Sequence, residues 1–366
     1  MFFKRSVMGG EQSAPRNNAV ISVQFPWNLF VQGSVMLKVA LLGAGRIAQV
    51  HARHIYDHPD TELFSVSDIF PEAAKNLADR FSARVLSTEE AIAHPEVDIV
   101  LVATSTDTHA DFSLHAARAG KAIFCEKPID LNIERVQACV AEVKERGVPF
   151  MIGFNRRFDP NHAHLNRALR SGEIGELEHL QINSRDPSPL PDDYLLVSGG
   201  MFRDMTIHDF DMARFQLGEE PVSVSVTAAA LVSPTVKAAG DVDTAVITLQ
   251  TASGKIAVIN NSRRSGYGYD QRIEAHGQKG CLYVQNVPTT TLVKVTEEQG
   301  TQAQKPLHFF LERYQEAFRE QWKAFVAAIK EGRPVPTTAD DGLKALLLAE
   351  AAVESFRTRK VVTVSL

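Results

Sequence analysis

Short apolar runs at residues 39–42, 63–66, 98–103 and 122–125 alternate with amphipathic stretches at 48–56, 71–80, 108–119 and 133–146. Apolar runs bounded by turn residues read as buried strands. Apolar positions three and four apart read as helices. Residues 148–153 read as one more strand and the way out of the unit. This alternation predicts a doubly wound α/β domain, with a parallel sheet covered by helices on both faces.

The pattern changes after residue 153. A helix is predicted over 161–171, stopped by Gly172, then a strand over 177–184 and a proline-rich loop over 186–193. A largely apolar helix follows at 200–217. Period-two strands come next at 222–232, 244–251 and 255–264, with Ser253 and Gly254 turning between the last two. Further strands are predicted at 269–276, 282–285 and 291–296. Two helices close the chain, at 309–331 and 338–355. Thr337 or Thr338 can cap the second, and Asp340 and Asp341 suit its N-terminal dipole. The second unit therefore reads as α+β with a mostly antiparallel sheet. The expected division is an extension over 1–35, a first domain over 36–153 and a second over 154–366.

The antiparallel strands raise a packing question. Val222, Val224 and Val226 share one face, with Ser223, Ser225 and Thr227 on the other. Ala245, Ile247 and Leu249 oppose Val246 and Thr248. Helices of one domain cover one face of a sheet, so the second face needs another partner. A homodimer or homotetramer through this sheet is expected.

At 366 residues the chain is long enough for two cores. It is 44% hydrophobic and 23% charged, as expected of a globular enzyme. A net charge of −5 gives no electrostatic footing for nucleic acid. No apolar run is long enough to span a membrane. Residues 1–34 show no periodicity, and the basic start at Met1–Arg5 has no apolar region behind it, so a signal peptide is not expected. Residues 1–35 read as a disordered tail or an over-long start. The three cysteines, Cys125, Cys139 and Cys281, fit neither a disulfide framework nor a zinc site, and a reducing cytoplasm is the expected setting.

The candidate chemistry begins at the first strand, which runs into Gly43-Ala44-Gly45-Arg46-Ile47-Ala48 and then into a helix. Gly43 permits a tight turn, Gly45 admits close approach of a phosphate, and Ala48 lets helix and strand pack closely. The helix N-terminus offers free N–H groups to an anion. The second strand ends at Asp68, about 20 residues on, where an acid that binds ribose is expected. A carboxylate there accepts from a 2′-hydroxyl and repels a 2′-phosphate. Ile69 and Phe70 supply no cation, so NAD is expected over NADP.

Ligands of such sheets lie beyond the carboxyl ends of the strands. Two ends are polar: Thr104-Ser105-Thr106-Asp107-Thr108-His109 and Glu126-Lys127-Pro128. The glycine loop contributes Arg46 and Ile47, and these ends Thr104, Ser105, His109, Glu126 and Lys127, to the expected cofactor contacts. Lys127 could also bind a substrate hydroxyl and ease its proton loss. On the apolar helix, Asp204, His208 and Asp211 stand at i, i+4 and i+7 and share a face. His208 can take a proton near neutral pH, and a carboxylate one turn away would orient its ring. His51, His54 and His58 have no carboxylate at matching spacing, so no metal is expected. His162 and His164 read as solvated.

With these motifs in view, the chain resembles the glucose–fructose oxidoreductase, inositol dehydrogenase and rhizopine-catabolism superfamily from about residue 37 to its end. The glycine loop and Glu126-Lys127-Pro128 match the superfamily at large. Asp204-x-x-x-His208-x-x-Asp211 matches its catalytic helix. Gly153-Phe154-Asn155-Arg156-Arg157-Phe158-Asp159, Ser184-Arg185-Asp186-Pro187-Ser188 and Tyr267-Gly268-Tyr269-Asp270 are similar to inositol dehydrogenases in particular. The resemblance implies a Rossmann domain, a C-terminal domain on an open sheet, and oxidation of a ring hydroxyl with a nicotinamide cofactor. It implies Lys127, Asp204 and His208 as the catalytic group. Asn155, Arg156, Tyr267 and Tyr269, with Asp204 and His208, become the pocket for a cyclic polyol or sugar. It also implies a Lys127–Pro128 bond that is often cis. Some relatives carry Met where Asn155 stands and His near Ser184, which leaves the stereochemistry of the polyol open. Another polyol or aldose is the near alternative, and a non-catalytic dinucleotide-binding regulator the distant one.

Overall fold

The computed structural model describes residues 36–189, 191–195 and 197–366. The extension expected over 1–35 lies outside them.

Six strands form the first sheet: β1 (Leu37–Leu42), β2 (Thr61–Ser67), β3 (Arg84–Val85), β4 (Ile99–Val102), β5 (Ala122–Cys125) and β6 (Phe150–Ile152). They lie in the order β3-β2-β1-β4-β5-β6, all parallel. The order reverses between β1 and β4, so the glycine loop after β1 sits at the crevice where such sheets bind ligands. β1, β4 and β5 are buried along nearly their whole length, as strands covered on both faces must be.

The second sheet has the order β12-β11-β7-β10-β9-β8-β15. Its strands are β7 (Leu177–Arg185), β8 (Pro221–Ala229), β9 (Thr244–Thr251), β10 (Ile256–Ser262), β11 (Asp270–Gly277), β12 (Gly280–Val284) and β15 (Val362–Thr363). All pairs are antiparallel except β10 with β7. A separate hairpin joins β13 (Val293–Thr296) to β14 (Gly300–Ala303). The helices Ile207–Leu217 and Ala339–Thr358 pack on one face of the sheet. There Ala245, Ile247 and Leu249 are buried, while Val246, Thr248 and Gln250 of the same strand are exposed on the other face.

The domains share a core. The helix Gln315–Glu331 returns to the first sheet, where Trp322, Phe325, Val326 and Ile329 pack with Val39, Leu41 and Phe124. The Trp322 indole donates to Thr61 Oγ1 at 3.3 Å. Among the described residues no helix is long and apolar enough to cross a membrane.

Several elements differ from the sequence pattern. β3, β14 and the short helices Thr88–Ala93, Asp192–Leu195 and Pro234–Ala238 carry too few residues to show a period. The helix expected over 309–331 breaks at Tyr314 into Phe310–Arg313 and Gln315–Glu331. The one expected over 200–217 opens with a π turn, Phe202–Thr206. His164 is exposed, but His162 is buried at 2% exposure, against the expectation of a solvated pair. Its ring lies against Tyr314, and Asp159 caps its helix.

Candidate active site

Gly43 is fixed by its surroundings. Its φ is +101°, and a Cβ there would come within 2.3 Å of the Ala103 carbonyl oxygen, so only glycine fits. Gly45 is the N-cap of the helix Arg46–Asp57 and provides no side-chain cap, leaving the first N–H groups free. A Cβ at Gly45 would meet nothing within 4 Å. An open concavity lined by free N–H donors fits a pyrophosphate. Asp68 reaches this loop directly, accepting from the Ala44 N–H at 2.6 Å and the Phe70 N–H at 2.8 Å. Ile69 is 87% exposed beside it. Arg46 and Ser105 are exposed at the crevice, with Ile47 and Thr104 partly buried.

Two residues expected at the cofactor surface are instead engaged by the protein. His109 is buried, with Nδ1 at 2.8 Å from the Pro128 carbonyl and Nε2 at 3.1 Å from that of Thr104. It ties together the ends of β4 and β5. Glu126 meets His51 Nε2 at 2.6 Å, buried between the first helix and β5.

Lys127 follows β5, and the Lys127–Pro128 bond is cis. Its Nζ donates to the Asp204 carbonyl at 2.9 Å and lies 3.4 Å from Asp204 Oδ1. The structure thus brings Lys127 and Asp204 together across the two domains. His208 stands one turn further on, its ring edge-on to Phe154. Its Nδ1 is buried without a hydrogen-bond partner, and the ring is only partly covered, so Nε2 is the nitrogen left to face a ligand. Burial, with the cations of Lys127 and Arg156 adding to it, holds the His208 imidazole well below its usual pKa.

The expected stripe of Asp204, His208 and Asp211 does not act as a unit. Asp204 makes no hydrogen bond with His208. Its carboxylate is taken by Lys127, by the Tyr194 hydroxyl at 3.0 Å and by Arg263 at 2.8 Å. Burial opposes ionisation of Asp204, but Lys127, Arg263 and Tyr194 outweigh it and hold the carboxyl below its usual range. Asp211 is buried against Arg157, with Nε at 2.8 Å, and binds no site residue. It belongs to a strut joining the helix Ile207–Leu217 to Asp341 through the Arg157 and Arg214 guanidiniums.

The far wall is also polar. Arg156 is buried on Asp209 at 2.6 Å and lies 3.4 Å from the Tyr269 hydroxyl. Asn155 is buried beside it. Tyr269 is 5% exposed and packs on Tyr314, whereas Tyr267 is 44% exposed and donates to Asp270 at 2.6 Å. Sequence reasoning missed Tyr194, Asp209 and Arg263. Asp209 adjoins His208 on the largely buried helix Ile207–Leu217, and an acid beside that histidine is its mark in the sequence. Tyr194 lies in the one-turn helix Asp192–Leu195 and Arg263 just past β10, and neither carries such a mark. Among the described residues no group of three or more His, Cys, Asp or Glu is placed to hold a metal ion.

Comparison with known proteins covers both domains. Residues 37–154 match the family described as the oxidoreductase family, NAD-binding Rossmann fold. Residues 162–283 match the GFO/IDH/MocA C-terminal domain. The inositol 2-dehydrogenase of Rhizobium meliloti (strain 1021) is 49% identical over 90% of this chain and 99% of its own length. The solved structure of a myo-inositol dehydrogenase from Corynebacterium glutamicum superposes with a TM-score of 0.87 at 42% identity, covering 90% of this chain and 99% of its own. The scyllo-inositol dehydrogenase of Lactobacillus casei, solved with bound NAD(H) and scyllo-inositol, gives 0.82 at 27% identity over 90% and 99%.

Proposed function

The chain belongs to the GFO/IDH/MocA oxidoreductase family, and from that premise we infer that it is an NAD-dependent dehydrogenase oxidising a ring hydroxyl of a cyclic polyol, myo-inositol to its 2-keto form. NAD, when bound, accepts the hydride. The residues of the chain hold the substrate and move its proton. His208 accepts the hydroxyl proton at Nε2, being neutral and open to the pocket on that side. Lys127 donates to the same hydroxyl and stabilises the negative charge that develops on it. Asp204 fixes the ammonium of Lys127. Arg156 and Asn155 line the polyol side, with Tyr267 at its rim and Tyr269 behind Arg156.

The observation that carries the reading is the meeting of Lys127 and Asp204. A lysine from the strand end beside the glycine cradle has no need of a buried carboxylate from the other domain unless the crevice between them does chemistry. A non-catalytic dinucleotide-binding regulator leaves that arrangement unexplained. The exposed face of the second sheet pairs β-branched and small polar side chains, and we assign it to contact between subunits in a dimer or tetramer. The three free cysteines fit a reducing cytoplasm.

Purified protein is to be mixed with NAD or NADP and a panel of inositols and aldoses, following absorbance of the reduced cofactor. NAD with myo-inositol should give the highest kcat/KM. No turnover with any cyclic polyol would sink the reading. A clear preference for an aldose would redirect it to a sugar dehydrogenase.

A further inference from the structure

Three side-chain donors hold the Asp204 carboxylate, and His208 is not among them. Tyr194 reaches its Oδ1 from the short helix Asp192–Leu195, and Lys127 approaches the same oxygen. Arg263, just beyond β10, donates to Oδ2. Arg263 is itself held, because its Nη1 donates to Asp186 Oδ2 at 2.7 Å and its side chain is buried. Asp186 follows β7 and Arg263 follows β10, so adjacent strands of the second sheet hold both groups that fix Asp204 from this side.

This arrangement has a mechanical consequence. Asp204 and His208 stand one turn apart on one helix, within reach of each other. A free carboxylate there would pair with the imidazole, as it does wherever an aspartate orients a catalytic histidine. Here the donors pull it the other way. A planar guanidinium fixed by a second carboxylate leaves its partner little freedom. A phenol hydroxyl on the remaining oxygen locks the rotation about the side chain.

We propose that Tyr194 and Arg263 are positioning residues of the reaction, turning Asp204 onto Lys127 and keeping it off His208; this rests on the assignment of Lys127, Asp204 and His208 given above. Lys127 is thereby aimed at the substrate hydroxyl. His208 stays a neutral acceptor with no carboxylate to raise its basicity. Loss of either donor lets Asp204 swing toward His208 and also makes its own carboxyl easier to protonate. Both changes act in the same direction. The ionisable groups around Asp204 are Lys127 at the end of β5, Tyr194, Arg263 with Asp186 behind it, and His208 on its own helix. Arg46 faces Tyr194 from the first helix.

The test compares Tyr194→Phe, Arg263→Gln and Arg263→Lys with Asp204→Asn. Tyr194→Phe removes one oxygen from a ring that is 43% exposed, so folding is not at stake. Its kcat should fall about tenfold, and that of Arg263→Gln about a hundredfold, with part regained in Arg263→Lys. The KM for NAD should not change. The acid limb of the kcat/KM profile should move to higher pH in Tyr194→Phe and Arg263→Gln. If both keep wild-type kcat and an unmoved acid limb while Asp204→Asn is crippled, the positioning role is overturned and the catalytic assignment stands. If Asp204→Asn itself turns over normally, the assignment has failed and the inference falls with it. Should Arg263→Gln not fold, Tyr194→Phe decides alone.

Discussion

Lys127 and Asp204 meet across the two domains, with the lysine Nζ 2.9 Å from the aspartate carbonyl and 3.4 Å from its carboxylate. One belongs to the loop after a central parallel strand. The other lies in the π turn that opens the helix packed on the second sheet. A π turn within a helix often marks a functional site, because the wider turn spends a regular hydrogen bond to place a side chain. The pair exists only when the two sheets are docked, and one buried cluster spans both, from Val100 and Ile123 of the first through Leu346 and Leu348 of the helix Ala339–Thr358 to Leu180 and Ile247 of the second.

Removing either end of the proposed proton and charge path should therefore hurt turnover, not cofactor binding. His208→Ala is expected to lower kcat by about a hundredfold or more, and Lys127→Ala to behave similarly. NAD affinity, read by fluorescence or calorimetry, should stay near that of the wild type. Near-normal turnover in either variant would remove the mechanism.

The pH dependence follows from the burial of His208. Neutral histidine is expected to titrate near 6.5, which by itself predicts activity rising from pH 6 upward. The structure moves that limb. Desolvation, then the cations of Lys127 and Arg156, hold the imidazole well below that value, so His208 favours its neutral form at neutral pH. The acid limb of kcat/KM should lie below the ordinary histidine value, with no rise attributable to His208 above about pH 6.5. Stability carries the same sign. The unfolded chain protonates this histidine first, so folding free energy is lost as pH falls below about 6.5. A thermal-melt series of wild type against His208→Gln checks it: the variant should lose less Tm between pH 7 and 5.

Cofactor choice should rest on Asp68. Two backbone N–H groups orient its carboxylate at the loop, and exposed Ile69 leaves space at its side without a cation. Asp68→Ser combined with Ile69→Arg should raise the kcat/KM for NADP relative to NAD by at least tenfold, since a repulsive charge is replaced by an attractive one. A wild type that already prefers NADP would contradict this account.

Much of this is legible in the sequence, and what is not has physical causes. Alternating buried runs and amphipathic helices show because burial on both faces forces apolar strands, as in β1, β4 and β5. The parallel pairing of β10 with β7 did not show. These strands are more than seventy residues apart in register, with Val258 facing Gln181, and no local pattern encodes a partner so distant. Lys127 and His208 could be picked out because each sits in a motif. Tyr194 and Arg263 could not, since a tyrosine just past a proline-rich loop and one of two adjacent arginines at a strand end read as surface until the fold brings both to Asp204. The i, i+4 spacing of Asp204 and His208 suggested a hydrogen-bonded pair. Spacing gives proximity, but the competing donors decide where the carboxylate points.

The last prediction concerns the exposed face of the second sheet. Val246, at 42% exposure, lies on that face beside Thr227 on β8 and Asn260 on β10. Val258 and Thr248 pair in the next row, and Ile256 with Gln250 in the one after. Ile247, the next residue along, is fully buried against the helices. The strand thus offers two adjacent positions with opposite surroundings. Val246→Glu adds a charge to a face that tolerates water in the free subunit, so the fold should survive. In an assembly it would bury that charge twice, once from each partner, and association should be lost. Ile247→Glu places the charge in the core, at a cost on the order of 4 kcal/mol or more, and should unfold the subunit. Light scattering with circular dichroism separates the cases. Wild type should run as a dimer or tetramer at micromolar concentration, Val246→Glu as a folded monomer or smaller assembly, and Ile247→Glu as unfolded or aggregated protein. A monomeric wild type, or a Val246→Glu variant of unchanged mass, would exclude this face as the contact.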